Sequence, residues 1–351
     1  MASSFIIHHS SFIIVFKILV VAPSWIGDTI LAQPLFKLLH TRYRDLGLDA
    51  LAPAWTLPLL ERMPEVRRAI LSPFGHGEVK LGGRRGLGRE LRAEGYEQAI
   101  VLPNTFKSAL VPFFADIPLR TGFRGEMRWG LLNDVRSLDE HALPLMAHRY
   151  AALAGTAGES PRPLPDLHLN VDENTRAATL RKLGLDSKQP VAALCPGAEY
   201  GPAKRWPTRH FAALGRQLAG RGLAVWLVGS AKDAALGVEI TELSGGACLN
   251  LCGKTTLDEA IDVLASTQLV VSNDSGLMHV VAALGKPLIA LYGSSSPAHT
   301  PPLSHHARIL KLDLPCSPCF KRECPLGHFN CMTQLTPERV FAAIEFDKIP
   351  A

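Results

Sequence analysis

The sequence predicts an α/β protein made of two successive strand-loop-helix series. Three observations carry this. Short apolar runs rich in Val, Ile and Leu, such as those at 17–22, 191–195 and 269–272, have the composition of strands buried in a parallel sheet. Segments of helical period follow them after short polar loops, as in a βαβ succession. Between the two series lies 155–166, GTAGESPRPLPD, whose Pro, Gly and Ser content marks a domain boundary. The two domains are accordingly expected at residues 17–160 and 167–340.

Composition agrees with this plan. A chain of 351 residues suffices for two domains of ordinary size, and 47% apolar residues support ordinary cores. A net charge of +5 is too small to demand nucleic acid, yet suits an anionic substrate or an acidic membrane surface. Of seven cysteines, four fall between Cys316 and Cys331, which is no secreted disulfide framework. Residues 1–16, MASSFIIHHSSFIIVF, lack the basic start and cleavage site of a signal peptide. His8-His9-Ser10-Ser11 interrupts their apolar run, which is too short to span a bilayer. They read as an extended, disordered leader, or alternatively as a membrane-surface anchor.

In the first series, 17–22 is a strand, 23–28 its loop, and 29–39 a helix with Ile30, Leu31, Leu35, Leu38 and Leu39 on its apolar side. The loop holds one glycine, so the G-x-G-x-x-G dinucleotide fingerprint is missing. Asp28 admits two roles. It is either the N-cap of the helix, or a general base beyond a strand's carboxyl end, accepting the proton of an attacking hydroxyl. Further strands are expected at 49–52 and 99–102. Between them 80–92, KLGGRRGLGRELR, carries five basic side chains and one acidic. It reads as a solvated loop entering a helix, or as a mobile loop whose Arg84 and Arg85 hold an anionic acceptor. Arg120, Arg124 and Arg128 in LRTGFRGEMRWG repeat the theme, since guanidinium groups pair bidentately with phosphate and carboxylate. Phe123 and Trp129 among them could face nucleic acid or a sugar, but read more plainly as packing residues. Asn104 and Lys107 follow the strand ending at Leu102, on the sheet edge of the Asp28 loop if the domain is doubly wound. They are secondary acceptor candidates.

In the second series a helix at 175–183 precedes the strand 191–195 and a long Gly/Pro loop, 196–207. Thr208 caps a helix at 210–219. The strand 224–228 ends in Gly229–Asp233, and 249–252 leads to a helix at 258–265. Lys204, with Arg205, is either an exposed basic pair or the cation that neutralises a leaving diphosphate. Asp233 either accepts from ribose hydroxyls or caps the next helix. The stretch 269–293, LVVSNDSGLMHVVAALGKPLIALYG, reads as strand, tight loop, helix, Gly stop and strand. Ligands bind beyond the carboxyl ends of parallel strands. A helix amino terminus there suits a phosphate, while Asp274 suits hydroxyls or amines. Asp274, Ser275 and Gly276 thus fit a ligand with phosphate and sugar, or else only cap a helix. His279, one turn on along the same face, is grouped with them, although a packed histidine is the plainer reading.

KILVVAPSWIGDTILAQPL, NTFKSALVPFF, CPGAEYGPAKRWP, LVGSAKD and VVSNDSGLMHVVAALGKPLIALYGSSSP together resemble the bacterial lipopolysaccharide heptosyltransferases of glycosyltransferase family 9. The likeness runs from about Lys17 to the region of His305. It implies a GT-B fold, two Rossmann-like domains facing a central cleft, with acceptor on the first and nucleotide sugar on the second. It implies inverting, metal-independent transfer of L-glycero-D-manno-heptose from ADP-heptose to heptosyl-Kdo2-lipid A, in the cytoplasm, peripheral to the inner membrane. No cofactor is required for such catalysis. Asp28 matches the family's catalytic-base motif, Lys204 the lysine that meets the donor phosphates, and Asp274, Ser275 and Gly276 the donor loop. Asp233 falls near an acidic ribose contact. The cluster Cys316-x2-Cys319-x4-Cys324-x6-Cys331 stands outside that scheme. It reads as a structural zinc site, or as reduced thiols in packing or solvent. Rival readings are a GT-B-shaped sugar-nucleotide epimerase, an NAD-dependent oxidoreductase without its glycine fingerprint, and a nucleic-acid-binding protein with a Cys-rich module. Mild charge and the lack of a nucleic-acid motif weigh against the last.

Overall fold

A computed structural model describes residues 16–75, 77–159, 161–185 and 189–348. The expectation for the leader therefore falls on residues that, apart from Phe16, lie outside those described. Phe16 already belongs to the first strand. Six parallel strands, β1 (Phe16–Val21), β2 (Leu46–Ala52), β3 (Arg68–Leu71), β4 (Gln98–Val101), β5 (Leu119–Phe123) and β6 (Asp134–Arg136), form one sheet in the order β3-β2-β1-β4-β5-β6. Six more, β7 (Val191–Cys195), β8 (Ala224–Leu227), β9 (Cys248–Asn250), β10 (Leu269–Asn273), β11 (Leu288–Leu291) and β12 (Ala307–Leu310), form a second in the order β12-β11-β10-β7-β8-β9. Each is the doubly wound order, whose first strand pairs with its second and fourth. The central strands β1, β7 and β10 are apolar because both faces are covered by helices; Ile18, Leu19, Val20, Ala192, Ala193 and Val270 are buried. This is the expected GT-B architecture.

In place of one helix at 29–39, the chain forms two, Ile26–Leu31 and Gln33–Arg42, offset at Ala32. Pro34 explains the break: its ring crowds the carbonyl four residues back and it offers no N–H. The basic stretch from Lys80 is a helix, Leu81–Arg92, rather than a mobile loop.

Arg62 of the first half is held by Asp258 (2.7 Å) and Asp262 (2.8 Å) of the second. Gln33 exchanges hydrogen bonds with the backbone of His168 (2.5 and 2.8 Å). Within the first sheet, Asp49 is fully buried and accepts from Arg67 (2.7 and 2.8 Å), Arg68 (3.0 Å) and Tyr96 (2.6 Å). Burial alone raises a carboxyl pKa, but the bonds from Arg67 and Tyr96 prevail and hold Asp49 below the usual range. Asp49→Ala is expected to cost about 3 kcal/mol in urea unfolding at neutral pH. Because the folded pKa is depressed, the wild-type contribution is present above the unfolded carboxyl range. It is lost as pH falls through the folded value.

Candidate active site

The amino termini of two helices meet between the domains. One is Ile26–Leu31, which follows β1; the other is Gly276–Ala283, which follows β10. Both leave strand carboxyl ends, so their orphan N–H groups and positive dipole ends point into the same space. Close approach depends on two glycines. A Cβ on Gly276 would lie 2.8 Å from Cβ of Ile26, and one on Gly27 would lie 2.7 Å from Cδ2 of His279. Gly276→Ala is accordingly expected to force the two helix ends apart. Turnover should fall at least tenfold, with the far-ultraviolet circular dichroism of both domains retained.

Asp28 sits on the third residue of the Ile26–Leu31 helix, not at its cap. Trp25 occupies the cap position and makes no side-chain capping bond. Thr29 fastens the turn by donating to the carbonyls of Trp25 (2.9 Å) and Pro23 (3.3 Å). Among the described residues no hydrogen bond engages the Asp28 carboxylate. Burial raises its pKa to about 6, and the Lys204 ammonium opposes the rise. The buried Tyr150 lies near enough for the Asp28 charge to add to the upward pull of burial on its phenol.

Lys204 projects from the Gly/Pro loop after β7. Its ammonium bonds to Asp274 at 2.5 Å and lies 5.1 Å from the ring centre of Tyr200. Asp274 is 4% exposed and also accepts from the hydroxyl of Ser295. The neighbouring Asn273 is fully buried and joins the loops, donating to the carbonyl of Pro196 (2.8 Å) and accepting from the backbone of Trp206 (3.1 Å). Ser275 is the extended N-cap of the Gly276–Ala283 helix. Its hydroxyl faces Ser272 at 3.3 Å rather than capping, which leaves the first N–H groups of that helix to a ligand. His279 is buried with Nδ1 unpartnered, and burial lowers its pKa to about 4. It is a neutral wedge against the Asp28 turn.

The structure gives several of the expected residues partners of their own. Asp233 closes a capping box on the short 3-10 turn Ala231–Asp233 and makes no side-chain cap to the helix that follows: its carboxylate accepts from the backbone (2.9 Å) and hydroxyl (2.7 Å) of Ser230, beneath Gly197. Arg84 is buried, stacks on Phe74 (4.2 Å), and spends its guanidinium on the carbonyls of Val79 (2.6 Å), Glu78 (3.0 Å) and Lys107 (3.1 Å). It stitches loops together, with three of its five N–H donors spent on those carbonyls. Arg120 lies near the amino end of β5, donating to the carbonyls of Leu131 and Ile117 (both 2.6 Å), away from the edge that carries Asp28. Arg128, of the same motif, is likewise buried, on the carbonyl of Pro103 (2.8 Å) and the side chain of Asn104 (3.2 Å). Asn104, Arg85 and Arg124 are exposed and Lys107 is partly so. Trp129, expected as a packing residue, is 69% exposed beneath Arg124 (5.4 Å).

Cys316, Cys319, Cys324 and Cys331 line one small cavity with His328, and none forms a disulfide. Cys324 Sγ accepts the N–H of Phe329 at 3.4 Å. Among the described residues no group of three or more His, Cys, Asp or Glu stands ready to hold a metal. The segment braces the site. Arg322 accepts from the N–H of Ala203 (3.0 Å), Phe320 from the Tyr200 hydroxyl (2.8 Å), and Ser317 donates to Gly293 (2.7 Å). Nothing in the sequence patterning around Asn273, Tyr150, Tyr200 or Ser295 sets them apart; only the fold brings them to the site.

A family profile described as glycosyltransferase family 9 (heptosyltransferase) matches residues 84–330. Lipopolysaccharide heptosyltransferase 2 of Escherichia coli (strain K12) is 51% identical over 335 residues, 92% of this chain and 96% of that protein. Lipooligosaccharide heptosyltransferase 2 of Haemophilus ducreyi is 44% identical over 339 residues, covering 92% and 97%. The solved structure of E. coli ADP-heptose LPS heptosyltransferase II superposes with a TM-score of 0.83 at 48% identity, covering 93% of this chain and 97% of that one. The enzyme readings as epimerase or oxidoreductase and the nucleic-acid-binding reading fall away on these matches. The paired doubly wound domains agree with these matches, and this chain belongs to glycosyltransferase family 9, the heptosyltransferases.

Proposed function

We propose that this enzyme moves L-glycero-D-manno-heptose from ADP-heptose to the first heptose of heptosyl-Kdo2-lipid A, with inversion at the transferred carbon. The observation that carries the mechanism is the contact of the Asp28 turn with the amino end of the Gly276–Ala283 helix, with the Lys204 ammonium near enough to act on the Asp28 charge. An acceptor hydroxyl attacks the heptose C1 and gives its proton to Asp28. The C1–O bond to the diphosphate breaks, and ADP leaves with the electron pair. Lys204 and the open N–H groups at Ser275 and Gly276 stabilise the charge that develops on it. Asp274 holds Lys204 in place before the donor arrives. On the acceptor side, Asn104, Lys107, Arg85 and Arg124 supply amide and cationic partners for an anionic saccharide.

Closure over the substrates excludes water and lets attack by the acceptor outrun hydrolysis. No helix among the described residues is long and apolar enough to cross a membrane. The lipid-linked acceptor of this reading supports work as a peripheral protein at the cytoplasmic face of the inner membrane. A structural zinc drawn in by the four cysteines would staple the segment that braces the Lys204 and Ser295 loops. Metal analysis of protein purified without chelators tests that part, and absence of zinc removes it. The transfer itself is tested by ADP release from ADP-heptose, with and without heptosyl-Kdo2-lipid A. Acceptor-dependent release is expected; release at the same rate without acceptor would overturn the reading in favour of hydrolysis.

A further inference from the structure

We propose that the loops at the carboxyl edge of the first sheet form a membrane-docking face that seats the enzyme on an anionic phospholipid surface. The proposal rests on the lipid-linked acceptor of the preceding reading and names the residues that meet lipid. The chain has five tryptophans. Trp206 and Trp226 are buried in the second domain, whereas Trp25, Trp55 and Trp129 are 52, 49 and 69% exposed. These three leave the carboxyl ends of β1, β2 and β5. Met127, beside Trp129, is 80% exposed, and Phe106 after β4 is exposed as well. With strands ordered β3-β2-β1-β4-β5-β6, all these loops are neighbours along one edge.

Hydrogen bonds hold the edge together. Trp55 Nε1 donates to the carbonyl of Ser24 (2.7 Å), the N–H of Phe106 to Glu126 (2.8 Å), and the N–H of Glu126 to the carbonyl of Asn104 (3.0 Å). Large apolar side chains gathered in solvent on one edge mark an interaction surface. Their kind points to a bilayer interface. Indole is apolar in its body with a polar N–H, and it prefers the headgroup level. Cations stand among the rings, Arg124 over Trp129 (5.4 Å) and Lys107 next to Phe106 in the chain, and each basic group near an anionic leaflet adds to binding. A protein-binding patch is instead depleted of charge at its core. The Asp28 turn opens on this same edge, so docking turns the reacting carboxylate toward a saccharide rising from the bilayer.

The test is co-sedimentation of the full chain with vesicles of phosphatidylethanolamine and phosphatidylglycerol, against vesicles of phosphatidylcholine alone. It needs neither donor nor acceptor, so its outcome is separate from that of the transfer assay. Binding is expected on the anionic vesicles, weakening as salt screens the cations. Met127→Asp, on a largely exposed side chain, is expected to lower it about tenfold with thermal unfolding unchanged. Absence of wild-type binding, or equal binding by the variant, would overturn the proposal. So would a variant that binds vesicles normally but loses affinity for a deacylated acceptor, since the edge would then grip sugar rather than lipid.

Discussion

Asp28→Asn is expected to lower turnover by about 10²–10⁴-fold, the range for removing a general base, while leaving ADP binding unchanged. Asn keeps the shape of the side chain and cannot take the proton. In the wild type, kcat/KM should rise with pH through about 6 and level off above it, because only the ionised Asp28 accepts a proton. The same residue also sets a stability signature. A folded pKa raised above the ordinary carboxyl value of 3.8 means that the protonated form is favoured in the fold. The contribution is full below the unfolded value and is lost as pH rises through the folded one. Asp28 therefore weakens the wild type at neutral pH by on the order of 2–3 kcal/mol. Asp28→Asn should be more stable than wild type by about that amount in urea at pH near 7.5, with the difference gone below pH near 4. A variant both dead and stabilised marks a group buried for chemistry. Equal activity would return Asp28 to a purely structural place in the helix turn.

Much of this was legible in the chain, for physical reasons that differ from element to element. The strands around Val20, Leu194 and Val270 were readable because a parallel strand covered on both faces must be apolar throughout. The loops beyond them follow from topology, which brings Asp28 and Asp274 to strand carboxyl ends. The partners of individual cations were not legible. Arg84, Arg120 and Arg128 look in sequence like Arg124, yet three of the four spend their donors on backbone carbonyls. No local pattern tells an arginine that ties loops from one that awaits an anion, because its partners lie on other elements. Asp233 follows the same rule: its capping bonds to Ser230 are local, but the inward turn is fixed by Gly197 on another strand's loop. Trp129 erred in the other direction, since aromatic residues are placed in the core by default and only the fold exposes this one.

Lys204→Met should lower kcat by about 10²–10³-fold, because a preorganised cation near the developing diphosphate charge acts mainly in the transition state. It should do more than that. Asp274, 4% exposed, loses the ammonium at 2.5 Å and keeps the hydroxyl of Ser295. An uncompensated buried carboxylate costs about 3 kcal/mol, so the variant should also unfold earlier in urea. Adding Asp274→Asn removes the buried charge and should recover most of that stability without recovering turnover. The third effect falls on Asp28, whose raised pKa is held down by Lys204. Without that ammonium the Asp28 pKa rises further, and the acid limb of the residual kcat/KM profile should move to higher pH. Each of the three readouts isolates one role: rate for the leaving group, urea midpoint for the Asp274 pair, and pH limb for the coupling to the base. A variant whose KM alone rose, with kcat and pH limb intact, would reduce Lys204 to uniform donor binding. The leaving charge would then rest on the helix terminus at Ser275 and Gly276. A shifted limb with lowered kcat instead ties the two sides of the cleft into one electrostatic unit, in which the cation that receives the departing diphosphate also keeps the base ionised enough to act.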